Sequence, residues 1–370
     1  GLYGTFTVDA SGNYTYTLNN ALPAVQGLGV GESLTDSFTF TVTDNHGATA
    51  SNTLIVTING TNDAPTVSAA VNSIFEDTAT VTGKLPTPVD ADIHDTLTFT
   101  TQTNAAGLYG TLSLDASGHY TYILNNALSA VQGLGVGESL TDTFTFTVSD
   151  GHGGTAANTL TVTINGANDA PVLTAAAASI FEDAVGVSGK LPAPVDPDLH
   201  DVVSFVPQTA ALGLYGTLSI DAGGNYTYTL NNALPAVQGL GVGEKLTDTF
   251  TFTALDNHGG TASNTLTLTI NGTNDIPTVG AAAASIIEDA ATVIGKLPTP
   301  VDPDLHDVVS FIPQTAALGL YGTFTVDASG NYTYALNNAL PAVQGLGVGE
   351  KLTDTFTFKV SDGHGGTASN

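Results

Sequence analysis

The segment Thr-Leu-Thr-Val-Thr-Ile-Asn-Gly-Ala-Asn-Asp-Ala-Pro, Thr159–Pro171, joins two different patterns. Its first half alternates polar and apolar residues, which indicates a half-buried β-strand. Its second half, the linker Asn165–Pro171, consists mostly of residue types typical of turns. The same linker stands at Asn59–Pro65, with Thr61 in place of Ala167. It stands again at Asn271–Pro277, with Thr273 in that place and Ile276 in place of Ala170. The segment therefore ends one folded unit and begins the next.

The chain repeats with a fixed period. Asn62, Asn168 and Asn274 occupy the same place in successive linkers and are 106 residues apart. A period of about 100 residues is the size of an ordinary domain and not of a short solenoid repeat. Because the chain starts and stops within a repeat and contains no Met, we expect it to be a piece of a longer protein. The predicted divisions are a partial repeat 1 at 1–61, full repeats 2 and 3 at 62–167 and 168–273, and repeat 4 at 274–370, which lacks most of its last strand.

Composition argues against several classes of function. Only 6 basic residues stand against 34 acidic ones, and the net charge of −28 argues against nucleic acid and anionic lipid as partners. The absence of Cys excludes disulfides and Cys-ligated zinc. With 42% hydrophobic and 11% charged residues, the chain does not have the composition of a disordered polyanion. No apolar run approaches membrane-spanning length, so we expect no direct membrane contact.

Repeat 2 consists of short alternating segments separated by turns. Seven strands within about 100 residues are typical of an immunoglobulin-like sandwich. The predicted fold class is therefore all-β, with tandem immunoglobulin-like β-sandwich domains arranged in an extended rod. The crossover Asn125–Leu140 has room for one helical turn. The predicted strands are Thr66–Phe75, Thr80–Leu85, Thr96–Gln102, Thr111–Leu114, His119–Leu124, Thr143–Ser149 and Thr159–Asn165.

Acidic side chains are predicted to gather where two repeats meet. In such a sandwich the loops after the second and sixth strands lie at the end where the repeat begins, and the residues after the first strand lie at the opposite end. Acids from two successive repeats therefore face the same linker. The candidate metal ligands are Asn62, Asp63, Asp90, Asp92 and Asp150 at the first junction, Glu76, Asp77, Asn168, Asp169, Asp196, Asp198 and Asp256 at the second, and Glu182, Asp183, Asn274, Asp275, Asp302, Asp304 and Asp362 at the third.

These acids predict calcium ions at the junctions. Two like charges about 4 Å apart repel by roughly 4 kcal/mol near a protein surface, and a divalent cation removes that repulsion. Six to eight oxygen ligands from Asp, Glu, Asn and backbone carbonyls are typical of Ca²⁺. The alternative is a set of solvated turn acids. That interpretation suits four other residues, which we expect to form Asx turns in a hairpin: Asp9, Asp115, Asp221 and Asp327.

Two other site chemistries are weaker alternatives. Recurring histidines share one tip of the repeat with the acids and would allow a His–Asp transition-metal site; they are His46, His152, His258 and His364 in one turn and His94, His200 and His306 in another. The sequence contains no recognisable catalytic motif. It has no nucleophile–His–acid arrangement, no phosphate-binding loop and no His-Glu-x-x-His sequence. We therefore expect no enzymatic activity.

Four motifs of repeat 2 resemble the VCBS-type repeat of bacterial RTX and other giant surface adhesins. They are Gly-Thr-Asn-Asp-Ala-Pro (60–65), Gly-Leu-Tyr-Gly-Thr-Leu-Ser-Leu-Asp-Ala-Ser-Gly (107–118), Gly-Glu-Ser-Leu-Thr-Asp-Thr-Phe-Thr-Phe-Thr-Val-Ser-Asp-Gly-His-Gly-Gly (137–154) and Leu-Thr-Val-Thr-Ile-Asn-Gly (160–166). The layout of Glu, Asp-x-Asp and Asn-Asp also resembles the calcium junctions of cadherins. The resemblance implies tandem extracellular, cadherin-like domains on a bacterial surface, made rigid by calcium and exported by type I secretion.

Two functions follow as hypotheses. The first is a structural extender of a secreted adhesin, which holds a terminal binding domain outside this segment away from the cell and supports adhesion and biofilm formation. Its partners would be calcium ions and neighbouring repeats. The second is a module that itself binds carbohydrate or a cell-surface partner. The absence of Trp and the predicted inward position of the Tyr residues favour the first hypothesis.

Overall fold

A computed structural model describes the whole chain, Gly1–Asn370. Nearly all regular structure is β-strand, and the four helices are 4 residues long each. The predicted all-β sandwich class is confirmed. The chain divides into two compact units, a first of residues 1–169 with 196–201 and a second of residues 170–195 with 202–370.

The elements of the first unit follow one another in the order expected from the repeat. In chain order they are β1 (Gly4–Val8), β2 (Tyr14–Leu18), α1 (Pro23–Gln26), β3 (Ser33–Thr43), β4 (Thr49–Asn59), β5 (Ala70–Phe75), β6 (Thr80–Lys84), β7 (Thr98–Phe99), β8 (Gln102–Ala106), β9 (Gly110–Leu114), β10 (His119–Leu124), α2 (Ser129–Gln132), β11 (Ser139–Ser149) and β12 (Thr155–Asn165).

The second unit repeats this order with small differences. Its elements are β13 (Ala176–Phe181), β14 (Gly186–Lys190), β15 (Ser204–Phe205), β16 (Gln208–Leu212), β17 (Gly216–Ile220), β18 (Asn225–Leu230), α3 (Pro235–Gln238), β19 (Lys245–Leu255), β20 (Thr261–Asn271), β21 (Thr292–Lys296), β22 (Ser310–Phe311), β23 (Gln314–Leu318), β24 (Gly322–Val326), β25 (Asn331–Leu336), α4 (Pro341–Gln344), β26 (Lys359–Ser361) and β27 (Thr367–Ser369).

Two four-stranded sheets form the sandwich of repeat 2. One has the strand order β5-β12-β11-β7 and the other β6-β10-β9-β8. The pair β5–β12 is parallel, whereas β11 pairs antiparallel with both of its neighbours. Repeat 3 has the same two sheets, β13-β20-β19-β15 and β14-β18-β17-β16. The parallel pair is important for the site because it brings the end of the first strand beside the end of the last strand.

The period-2 alternation explains which side chains fill the core. Phe144, Phe146 and Val148 of β11 point inward, while the Thr residues between them lie on the outer face. Tyr122 of β10 packs edge-on against Phe144 of β11 with ring centroids 5.8 Å apart, so this pair joins the two sheets. Each such fully buried side chain contributes about 1.5–3 kcal/mol of transfer free energy.

Four predicted strands of repeat 2 have wrong bounds. The last two begin four residues earlier than predicted, at Ser139 and Thr155. The first strand of repeat 2 begins at Ala70, and Thr66 forms only an isolated bridge with Val89. The segment predicted as one strand, Thr96–Gln102, contains two strands that belong to different sheets: β7 pairs with β11, and β8 pairs with β9. The chain crosses from one sheet to the other between them, and a single ladder cannot make that step.

Repeat 4 has one strand fewer than repeats 2 and 3. Its second sheet is three-stranded, β22-β26-β27, and residues 281–287 form no strand. In repeat 3 the equivalent strand, β13, pairs with the second half of β20. In repeat 4 the last strand, β27, ends at Ser369, and no strand pairs with residues 281–287.

A buried aspartate explains the Gly-Leu-Tyr-Gly motif. Asp142 is 1% exposed and accepts hydrogen bonds from the N–H groups of Leu108 at 2.7 Å and of Tyr109 and Gly110 at 3.1 Å. The hydroxyl of Tyr122 donates to the same carboxylate at 3.0 Å. A side chain on Gly107 would collide with the Asp142 carboxylate, which requires glycine there. The sequence had indicated only a turn here, and the equivalents of Asp142 are Asp36, Asp248 and Asp354.

Candidate metal centres at the linkers

One loop in each of repeats 2, 3 and 4 carries three acids at fixed spacing, and we call it the acidic loop. It comprises residues 90–95, 196–201 and 302–307. In repeat 2 it joins β6 to β7, and in repeat 4 it joins β21 to β22. The N–H of its last residue, Asp95, donates to the carbonyl of Asp92 at 3.1 Å and closes the loop into a turn.

The acidic loop meets the turn that follows β11. Asp90 and Asp95 of the loop and Asp150 of the turn each offer a carboxylate oxygen within 4.8 Å of the others. In repeat 4, Asp302, Asp307 and Asp362 form the same group. Three carboxylates at this separation repel one another strongly unless a cation lies among them.

Asp150 is held in place by its own turn and by the linker. Its Oδ1 accepts the N–H of His152 at 2.7 Å and of Gly154 at 3.0 Å. Its Oδ2 accepts the side-chain amide of Asn62 at 2.9 Å. The Asn62 hydrogen bond is the main cause that keeps the pKa of Asp150 below its ordinary value. Asp150 is therefore a fixed, ionised acid.

A second carboxylate of the acidic loop binds the linker backbone. The N–H of Asp63 donates to Oδ2 of Asp92 at 2.8 Å, and Asp92 is 2% exposed. The same bond recurs from Asp169 to Asp198 at 2.9 Å in the first unit. It recurs once more in the second unit, from Asp275 to Asp304 at 3.0 Å.

The acid at the end of the first strand faces the next linker. Glu76 follows β5, is 2% exposed, and accepts the N–H of Ala167 at 2.8 Å. Glu182 follows β13 and accepts the N–H of Thr273 at 2.7 Å. The parallel pairing of the first and last strands explains this contact, because both strands end beside each other.

The carboxylates around Glu76 disfavour its charge. Burial raises the pKa of Glu76 to about 7, and the charges of Asp169, Asp198 and Asp77 add to the shift. Burial is also the main cause that raises the pKa of Glu182 in the second unit. The raised pKa values mean that the anionic form is destabilised without a cation nearby.

Several oxygens of this set are buried and accept no hydrogen bond from the protein. A buried charged oxygen without a donor costs several kcal/mol, so the recurring carboxylate oxygens of this set favour a partner that is not a protein N–H. An oxygen-binding cation satisfies them together. These oxygens are Asn62 Oδ1, Asp90 Oδ2 and Asp92 Oδ1 at the first linker, Glu76 Oε2 and Asp198 Oδ1 at the second, and Glu182 Oε2, Asn274 Oδ1, Asp302 Oδ2 and Asp304 Oδ1 at the third.

Three predicted residues need separate description. Asp77 and Asp183 lie in the left-handed region, with φ of 63° and 64°, and each accepts the amide of a nearby Gln at 3.0 Å. Asp256 opens the turn after β19 in the second unit, where its Oδ1 accepts the N–H of His258 at 2.7 Å. All but two of the remaining predicted residues lie in the contacts described above. The side-chain amide of Asn168 donates to the carbonyl of Asp169 at 3.0 Å. The carboxylate of Asp196 accepts the N–H of Asp198 at 3.1 Å.

The structure adds ligand candidates that were absent from the predicted set. Asp95 and Asp307 end the acidic loop, and their side chains are only 6% and 7% exposed. Each also contacts a histidine of the neighbouring turn, with His152 Nδ1 3.1 Å from Asp95 and His364 Nδ1 2.8 Å from Asp307. The signal in the sequence was the constant place of this Asp, three residues after Asp92 or Asp304.

The hairpin aspartates form the predicted Asx turns. Oδ1 of Asp115 accepts the N–H of Ser117 at 2.9 Å and of His119 at 2.8 Å. Both hydrogen bonds close within the hairpin, which distinguishes Asp115 from the acids at the linkers.

Among the helices, none has the length and apolar character required to cross a membrane.

Comparison with known proteins identifies the family. The bacterial cadherin-like domain matches the chain four times, at residues 1–60, 62–166, 168–272 and 274–370. The chain is 29% identical over 184 residues to the calcium-binding lectin RapA2 of Rhizobium johnstonii, a match that covers 45% of this chain and 73% of that protein.

Solved structures show the same fold. The extracellular cadherin domains 1–4 of protocadherin gamma B7 match with a TM-score of 0.54 at 14% identity, over 99% of this chain and 88% of that chain. Human CDH23 EC21–23 matches with a TM-score of 0.50 at 15% identity, over 83% and 98% of the two chains. Because the family match spans almost the whole sequence, the chain belongs to the family of bacterial cadherin-like domains.

Proposed function

We propose that this chain is an extender segment of an extracellular bacterial adhesin, in which calcium at the linkers makes successive repeats rigid. The environment of Glu76 carries the proposal. One of its oxygens accepts the N–H of Ala167, and the other is buried without a donor. The charges of Asp169 in the linker and Asp198 in the acidic loop act on the same carboxylate.

The donor set favours calcium over other metals. Every candidate ligand is a carboxylate or amide oxygen, and the chain contains no Cys. Asn62 illustrates the fit, because its amide donates to Asp150 while its Oδ1 is buried without a donor. Six to eight such oxygens suit Ca²⁺, whereas zinc and copper prefer sulfur and nitrogen ligands. Residues of the predicted set, with Asp95 and Asp307 added, would hold the ions.

A cation at this place would connect two repeats. Glu182 belongs to repeat 3, Asp304 belongs to repeat 4, and Asp275 lies in the linker between them. Without the ion, their negative charges repel one another and weaken the junction between the two repeats. With the ion bound, the carboxylates of both repeats are attracted to the same cation, so the junction stiffens. The ion thereby supplies a structural cross-link and no chemical step.

The cellular setting is part of the proposal. The chain would extend from a bacterial surface after type I secretion, carry a terminal binding domain, and support adhesion and biofilm formation. Its membership of the cadherin-like family and its similarity to a calcium-binding lectin support an extracellular role. The motifs shared with VCBS-type repeats support the export route.

A second candidate function is carbohydrate binding by the repeats themselves. The name of the relative in Rhizobium johnstonii, a calcium-binding lectin, favours it. Sugar-binding surfaces commonly use exposed aromatic rings. Tyr120 and Tyr122 are 5% and 0% exposed, as predicted, whereas Tyr14 and Phe75 are 58% and 59% exposed. The extender is the better supported function because buried oxygens without donors recur at the linkers.

Three measurements test these functions. Calcium titration by calorimetry should show several sites, and small-angle scattering should give a larger maximum dimension with calcium than with a chelator. An unchanged dimension in saturating calcium would refute stiffening. Binding to an array of glycans, with calcium present, would instead support the second function.

A further inference from the structure

The acidic loop also makes a contact that uses none of the proposed calcium ligands. In the second unit, the N–H of Leu305 in the acidic loop of repeat 4 donates to the carbonyl of Gly239 in repeat 3 at 3.2 Å. In the first unit, the N–H of Leu199 donates to the carbonyl of Gly133 at 3.3 Å. The glycine follows the short helix in both cases, so the contact recurs at equivalent places.

Space, not backbone torsion, requires the glycine. Gly239 has φ of −96° and ψ of 14°, a conformation that any residue adopts. A Cβ on Gly239 would lie 2.6 Å from Cγ and Cδ1 of Leu305. Gly345 has nearly the same conformation, but a Cβ there would meet only the carbonyl of Pro341, at 3.1 Å. The acidic loop therefore makes the difference between the two positions.

A polar contact accompanies the apolar one. Nδ1 of His306, the next residue of the loop, lies 2.8 Å from Oε1 of Glu244. Oε2 of Glu244 accepts the N–H of Gly241 at 3.1 Å, which fixes the carboxylate. The same pair, again at 2.8 Å, joins His94 to Glu32 in the first unit. One backbone hydrogen bond, the close approach of the Leu305 side chain to Gly239 and one polar side-chain contact thus hold a six-residue loop on the preceding repeat.

We propose that Leu305 and His306, with their equivalents, form a metal-independent latch that restrains the junction before calcium binds. The latch residues lie within the loop that carries Asp302, Asp304 and Asp307. Docking the loop brings these carboxylates to the linker and reduces the disorder that calcium must remove. This consequence for calcium affinity rests on the proposed function, whereas the latch itself does not.

Distance measurements between two nitroxide labels test the latch in the 370-residue chain. Because the chain lacks Cys, single cysteines at the exposed positions Thr229 and Ala328 would label repeats 3 and 4 specifically. In a chelator, Gly239→Leu should broaden the distance distribution. Gly345→Leu, the matched control, should leave it unchanged. Equal widths for the two variants and the unsubstituted protein would overturn the proposal.

A second pair of variants covers the case in which Gly239→Leu disturbs folding. Leu305 is 69% exposed, so Leu305→Ala should leave the fold intact and still broaden the distribution in a chelator. Val308→Ala changes a neighbouring side chain that is 80% exposed and should have no effect. Broadening by both substitutions, or by neither, would contradict the latch.

Calcium titration separates the latch from the proposed function. Leu305→Ala removes no ligand, yet it should weaken calcium binding at that linker about fivefold, the lower range of typical coupling between sites. If the unsubstituted protein binds no calcium, the proposed function fails while the chelator measurements still decide on the latch. If calcium binds equally well to Leu305→Ala, the latch does not prepare the site.

Discussion

The carboxylate of Glu76 accepts the backbone N–H of Ala167 at 2.8 Å, across 91 residues of sequence. Glu76 follows the first strand of repeat 2, and Ala167 follows its last strand. The contact places an acid of one repeat at the linker to the next. Since the other Glu76 oxygen has no protein donor, this pair defines where a cation would bind.

Calcium binding should depend on pH near neutrality. Burial raises the pKa of Glu76 from 4.5 to about 7, so the folded, calcium-free protein holds a proton that the unfolded chain has released. Stability of the calcium-free form should therefore fall as pH rises from about 4.5 to about 7, by on the order of 3 kcal/mol. Calcium competes with that proton, so affinity should fall as pH drops below about 7.

Calorimetric calcium titrations on both sides of neutrality check this expectation. Glu76→Gln together with Glu182→Gln should lower the affinity and flatten its pH dependence. Asp115→Asn, a change in an exposed Asx turn, is the control and should keep the original profile. Calcium affinity that is constant across neutral pH in the unsubstituted protein would contradict the argument.

Removing two acids from one acidic loop should affect one linker alone. Asp302→Ala combined with Asp304→Ala removes two oxygens that are buried without donors. We expect a lower number of bound calcium ions, with the sites at Asp90 and Asp92 retained, because stability and binding in such arrays are mostly local. Metal analysis after equilibrium dialysis measures the loss. Asp327→Ala, an equal type of change in a hairpin, should leave the number unchanged.

The buried Asp142 should be more important for stability than its partner Tyr122. Asp142→Ala leaves the N–H groups of Leu108, Tyr109 and Gly110 without an acceptor, at a cost of about 3 kcal/mol or more. Tyr122→Phe removes one hydrogen bond and should cost about 1 kcal/mol. Chemical denaturation of the two variants compares these costs. Equal destabilisation would show that the backbone donors find other acceptors.

One alanine should be replaceable with a gain in stability. Ala210 lies at the irregularity between β16 and β17 with φ of 49°, a left-handed conformation that costs alanine about 1–2 kcal/mol. Asn104 occupies the equivalent place in repeat 2 with φ of 48°, and asparagine tolerates this region better. Ala210→Asn should therefore raise the thermal midpoint of repeat 3. Ala211→Asn, the neighbouring control, should lower it or leave it unchanged.

Local patterns in the sequence predicted much of the fold. Alternation identified the inward faces of β10, β11 and β12, because a strand's side chains point to opposite faces whatever surrounds it. The fixed period predicted the repeats, and the linker motif predicted where their acids gather. The Asx turn at Asp115 was also predictable, since its hydrogen bonds close within a few residues.

Only the tertiary structure decided the features that join distant segments. The separation of β7 from β8 depends on which sheet each strand pairs with, and neither partner is adjacent in sequence. Asp142 accepts the N–H groups of the Gly-Leu-Tyr-Gly turn only because folding places that turn beside β11. Asp95 joined the candidate ligands, and Leu305 met Gly239, because the folded loops approach each other in space. A local pattern carries no information on such distances, which packing between strands and loops determines.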